Sequence, residues 1–231
     1  MTRLAATLLA ALALAPAALA ADGRALFQQG CANCHGLRAN GVPGRGPSLH
    51  GAGAAAADFY LSTGRMPLED PRAEPQRARP QYSREHIDAL VAYVASLGAG
   101  PAVPQPDPNA GSVSEGMRLF TDSCSGCHQI QAKGGVVTGG FSPSLQSAST
   151  TQIYEAVRVG PYVMPAFDEQ QLSDRQLASI AKYVRSTRHP DDRGGWGIAN
   201  TGPVPEGMVT WLLGAASLLV VARIIGKGRE S

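Results

Sequence analysis

Four cysteines and two histidines stand in two matching units, Cys31-Ala-Asn-Cys34-His35 and Cys124-Ser-Gly-Cys127-His128. Two thiols three residues apart on one helical turn are spaced to add across the two vinyl groups of a haem. The histidine that follows is then held under the iron as proximal ligand. No cysteine is left over among the 4 in the chain. Cys31, Cys34, Cys124 and Cys127 are therefore read as thioether attachments, His35 and His128 as axial ligands, and two covalently bound haem c as the cofactors. Competing chemistries fit less well. A zinc site needs four donors drawn from two such pairs, whereas each pair here has its own histidine. A thioredoxin-like pair belongs at a strand-to-helix turn in a βαβ unit, and no such pattern surrounds either unit. Two disulfides, the usual reading of four cysteines in an exported chain, are disfavoured by the same placement.

A six-coordinate haem needs a second axial ligand. Met66 and Met164 lie 31 and 36 residues beyond His35 and His128, each in a loop and each followed by proline. A thioether stabilises ferrous iron and raises the potential, which suits electron transfer, so these two methionines are the expected sixth ligands. Met117 precedes its own haem motif on the same helix, and Met208 falls in a terminal apolar segment. His50, His86 and His189 are read as ordinary surface residues. Pro47 and Pro143 stand 12 and 15 residues after the histidines, and their carbonyls are candidates to accept the other ring N–H. Arg45 and Arg65 are candidates to pair with haem propionates.

The elements that must position these residues occur twice. Gly23-Arg-Ala-Leu26-Phe27 and Gly116-Met-Arg-Leu119-Phe120 each place a glycine eight residues before the first cysteine. Gly46-Pro47-Ser48-Leu49 corresponds to Ser142-Pro143-Ser144-Leu145, and Gly64-Arg65-Met66-Pro67 to Tyr162-Val163-Met164-Pro165. Each half closes on a helix with a serine N-cap, Ser83 or Ser173, and apolar residues at helical spacing behind it. Residues 68–82 form a proline-punctuated loop without a counterpart in the second half. Strand-like alternation is absent, so the expected architecture is all-α, with domains over 22–98 and 115–188 joined by a Pro- and Gly-rich linker over 99–114.

The tails carry addresses. A positive start at Arg3, an apolar stretch and Ala18-Leu19-Ala20 predict a signal peptide over 1–21. After a tether over 189–205, residues 206–226 carry only Glu206 and Arg223 as charges. At ~1.5 Å per residue they reach ~30 Å, a bilayer's hydrocarbon thickness. Arg223, Lys227 and Arg229 place the tail over 227–231 in the cytoplasm and the haem domains outside it. The formal net charge is +2, spread without a basic stripe, which excludes a nucleic-acid partner on electrostatic grounds.

The order Gly-Cys-x-x-Cys-His, Gly-Pro-Ser-Leu, Gly-Arg-Met-Pro and a closing helix with Tyr93 resembles the class I cytochrome c fold, here in tandem. With the tether Gly202-Pro203-Val204-Pro205-Glu206-Gly207-Met208 and one terminal transmembrane helix, the chain resembles the dihaem cytochrome c subunit of the actinobacterial menaquinol–cytochrome c reductase. That resemblance implies a translocase subunit with no turnover of its own. It implies cytochrome b and Rieske iron–sulfur subunits as partners, and electron delivery to the copper-centre subunit of a cytochrome c oxidase. An independent membrane-anchored dihaem donor, or a dihaem oxidoreductase or peroxidase with an open iron site, are the alternatives.

Overall fold

A computed structural model describes residues 21–107, 109–189 and 203–228. The expected signal peptide lies outside them except for Ala21, as do most of the expected tether and the last three residues of the tail.

In the first half, helices α1 (Gly23–Gly30), α2 (Ala32–His35), α3 (Gly53–Ser62) and α4 (Arg84–Ala95) follow in order. Asp22 caps α1 by accepting from the Arg24 and Ala25 backbone N–H groups at 3.0 and 3.3 Å, and Ser83 caps α4 at the His86 N–H. Both satisfy donors that a helix start leaves orphaned. Helices α1 and α4 cross at Gly23, where a Cβ would stand 2.0 Å from the Ala89 carbonyl oxygen. Beside the crossing, Phe27 packs against Tyr93 with ring centroids 5.1 Å apart. Phe27, Ile87, Leu90 and Leu61 form the core there, and each such side chain contributes about 1.5–3 kcal/mol on full burial.

The second half repeats this with α5 (Val113–Ser123), α6 (Ser125–His128), α7 (Thr150–Val159) and α8 (Asp174–Ser186). Gly116 takes the part of Gly23, its missing Cβ 1.9 Å from the Ser179 carbonyl oxygen, and Phe120 meets Tyr183 at 5.3 Å. One feature departs from the all-α expectation. Strands β1 (Gly135–Val137) and β2 (Gly140–Ser142) pair antiparallel, with Val136 opposite Phe141. Each is three residues long, shorter than the alternation that periodicity can register. The connection is the two-residue Thr138-Gly139, with Gly139 at φ +85°, the left-handed backbone that tight hairpins favour.

Both halves fall within one compact unit that ends at Val184, and α3 packs on α7 across the boundary between them. Gln152 Nε2 donates to Ser62 Oγ at 3.3 Å, while Arg77 donates to Gln152 Oε1 at 2.9 Å and to the Ser147 carbonyl at 3.3 Å. The connecting segment is held at both ends. Pro101 O accepts from the Ala55 N–H at 2.9 Å, and the Ser112 N–H donates to Ser179 Oγ at 3.1 Å. Helix α9 (Pro203–Gly228) is a separate element. Its span Val204–Lys227 has a mean hydropathy of 2.0, long and apolar enough to make it a candidate membrane span.

Candidate haem-binding sites

The short helices α2 and α6 exist to gather the donors. Cys31 closes α1 through its N–H to Phe27 O at 2.8 Å, and its own carbonyl then accepts from the Cys34 and His35 N–H groups at 3.1 and 2.9 Å. In the second half Cys124, Cys127 and His128 repeat these bonds at 2.8, 3.1 and 2.9 Å. One turn thus holds two thiols and an imidazole in a fixed relation, twice. The Cys31 and Cys124 thiols are pushed up to about 11, by burial first and by the neighbouring cysteine second. They are neutral at physiological pH, which is the reverse of the depressed pKa of a redox-active Cys-x-x-Cys pair.

The histidines are oriented as the proline positions predict. His35 Nδ1 donates to Pro47 O at 2.8 Å, and His128 Nδ1 to Pro143 O at 3.1 Å. A carbonyl can only accept, so the proton sits on Nδ1 and Nε2 keeps its lone pair for a metal. Burial lowers the His128 pKa, the Pro143 contact opposing it only in part, and so favours the neutral, ligating form. His128 Nδ1 also lies 2.9 Å from Ser142 Oγ. In the corresponding place the first half has Gly46, where a Cβ would meet Cys34 O at 2.8 Å. Only the longer second-half loop leaves room for a hydroxyl there. The mismatch of Gly46 and Ser142 in an otherwise matching motif was the signal for it.

In the second half the donors open on one cleft. Cys124, Cys127, His128 and Met164 line it together with apolar side chains such as Ile153 and Val157, and it encloses about 1480 Å³ free of protein atoms, part of it open to solvent. Arg158, on α7, fixes the loop carrying Met164 by donating to Phe167 O and Leu172 O at 3.0 and 2.8 Å and pairing with Asp174 at 2.6 Å. Two thiols, an imidazole with a free nitrogen and a thioether around an apolar cleft form the donor set of a covalently held haem. In the first half Cys31 and Met66 pack against the same cluster, around Phe27 and Leu61, and the Met66 N–H is anchored to Tyr60 O at 3.1 Å.

Three other residues are assigned by their contacts. His50 directs Nδ1 at Leu97 O (3.0 Å) and Nε2 at Arg38 O (2.9 Å), tying the loop to the end of the first half with no nitrogen left for iron. Arg45 Nη1 donates to Asn33 Oδ1 at 2.7 Å and so braces the residues between the first pair of cysteines. Arg65 lies elsewhere than its sequence neighbourhood suggests, lining the cleft of the second half.

Comparison with known proteins divides the chain in the same way. Residues 20–98 match the family model described as cytochrome c, and residues 111–184 the one described as cytochrome c oxidase, cbb3-type, subunit III. The chain is similar to the cytochrome bc1 complex cytochrome c subunit of Corynebacterium diphtheriae, at 34% identity over 227 residues covering 90% of this chain and 81% of that protein. It is similar to the protein of the same description in Mycobacterium leprae, at 38% over 219 residues covering 90% and 75%. The cbb3-type cytochrome c oxidase subunit CcoP of Azospirillum sp. is 30% identical over 189 residues, covering 72% of this chain and 61% of that one.

Proposed function

The chain belongs to the family of cytochrome bc1 complex cytochrome c subunits, and on that premise we propose that it is the membrane-anchored dihaem electron carrier of a menaquinol–cytochrome c reductase. Electrons enter from the Rieske iron–sulfur subunit, which sits with cytochrome b in the complex, and leave for the copper centre of a terminal cytochrome c oxidase. Cys31 and Cys34 hold one haem c, Cys124 and Cys127 the other. His35 with Met66, and His128 with Met164, are the axial pairs. The bound haem supplies one-electron chemistry at a potential raised by its thioether ligand. The residues of this chain fix that ligand set and exclude water with the apolar cleft. Helix α9 anchors the unit, with the haem halves outside the cytoplasm and Lys227 inside, and tethering replaces diffusion with a high effective concentration.

One observation carries the reading. The turn that binds Cys-x-x-Cys-His and orients histidine through a proline carbonyl is built twice in a chain that also has a candidate membrane span. The test is purification of the native protein from solubilised membranes followed by intact mass measurement. Two added haems and co-purifying cytochrome b and Rieske subunits are expected. The likeness of the second half to a cbb3-type oxidase subunit favours a second reading, an anchored donor that works apart from a bc complex. Recovery with oxidase subunits alone would establish that one instead.

A further inference from the structure

We propose that Arg65, a residue of the first half, binds a propionate of the haem held in the second half, with Arg77 beside it, so that one half supplies the counter-charge for the other half's cofactor. The inference rests on the haem reading above.

Arg65 and Arg77 both line the cleft that Cys127, His128 and Met164 line. Arg65 is 9% exposed, yet its Nη1 is buried without a hydrogen-bond partner. An unpaired buried charged donor is among the costlier defects a fold can carry. It is not a loosely placed side chain. Its guanidinium carbon sits 4.8 Å over the Phe59 ring, and its backbone N–H is bonded to Tyr60 O at 2.9 Å. Arg77 stands near enough to repel it and donates only to neutral acceptors, Ser147 O and Gln152 Oε1. Among the described residues, the ion pairs include neither arginine. Glu74 also lines the cleft but is in none of those ion pairs, so the two guanidinium groups gathered at this apolar wall define a place for an anion. A haem in that cleft brings two carboxylates, and the planar guanidinium fork suits a carboxylate in two-point contact.

A cation beside a haem disfavours the extra positive charge of the ferric state. Redox titration of the full-length holoprotein followed by NMR reads the two haems separately. Arg65→Gln is expected to lower the midpoint potential of the second haem more than that of the first, and Arg65→Lys, which keeps the charge, to recover most of the shift. A shift largest at the first haem, or none at either, overturns the proposal. The unaltered ferrous holoprotein provides an independent reading, free of any folding defect. Overhauser contacts from the Arg65 guanidinium to the propionate methylenes of the second haem are expected, and contacts to the first haem instead, or to neither, overturn it. Intact mass of the same samples separates the two levels of the argument. A missing second haem removes the haem reading itself, whereas a two-haem protein with an unmoved second potential removes only the role of Arg65.

Discussion

The two candidate proximal histidines are held by different partners, and the two candidate methionines by different loops. His128 shares its Nδ1–H between Pro143 O and Ser142 Oγ, whereas His35 donates to Pro47 O. Met66 is anchored through the Tyr60 carbonyl and Met164 through a one-turn bond to Pro161 O at 3.1 Å. On the proposed reading each methionine serves one site. Met66→Ala and Met164→Ala are each expected to open a single haem, lowering its midpoint potential as the ferrous-stabilising thioether is lost. In the reduced variant, carbon monoxide is expected to bind at half the haem, and in the unaltered protein at none. The carbon monoxide difference spectrum checks this, and binding without any substitution would argue for a catalytic, open-site haem instead. The cysteines and histidines could be read in the sequence from the fixed spacing of their motif, and the prolines and candidate methionines from their matching order in the two halves. Ser142 showed there only as a mismatch with Gly46, and the placement of Arg65 not at all, since each depends on how a loop folds back.

Helix crossings and helix contacts set the frame around the sites. Gly23 and Gly116 stand where two backbones touch, with carbonyl oxygens in the space of the missing Cβ. Gly116→Ala gains about 1 kcal/mol of helix propensity but overpacks a contact against backbone, a change that costs about 1–3 kcal/mol. Because the Ser179 carbonyl belongs to α8 and cannot rotate away, a net loss is expected in denaturant unfolding, and the same from Gly23→Ala. Across the boundary between the halves, Glu155 of α7 is fully buried and faces Asp58 of α3, itself 2.6 Å from Arg84 Nη2 at the start of α4. Arg84 also pairs with Asp88 on its own helix. Burial first, and the Asp58 carboxyl second, push the Glu155 pKa up to about 9, the attraction of Arg84 opposing them. The folded state thus keeps a proton that the unfolded chain releases near pH ~4.3. Stability from this group is complete below that value and declines as pH rises through about 9. Glu155→Gln is expected to flatten that decline and to be the more stable form at pH 8, measured by thermal unfolding across pH. An unchanged profile would show that Glu155 is ionised in the fold.

At the scale of the whole chain, the anchor and the haem unit are separable tasks. Helix α9 exposes Trp211, Leu212 and Leu219, while Thr210 and Ser217 return their hydroxyls to the Glu206 and Leu213 carbonyls at 2.9 and 2.8 Å. Both hydroxyls are thereby satisfied without water. Ending the chain at residue 202 is expected to release the protein from the membrane fraction and leave its haem absorption spectrum unchanged, which fractionation and spectroscopy check together. Persistence in the membrane would mean that partners, not α9, retain it.

The sequence by itself determined the haem motifs, the axial candidates, the duplication and the apolar terminal helix. Each of these is a matter of residue type at fixed local spacing, which short helices preserve. The β1–β2 hairpin escaped it because two three-residue strands are set by glycine turns and not by alternation. The glycines before each haem motif were visible as a repeat, but their reason is a contact with a helix some sixty residues away. Only the tertiary structure brought Glu155 against Asp58 and set Arg65 at the wall of the second cleft. Both follow from how the two halves pack, and neither half's own pattern encodes the other's surface.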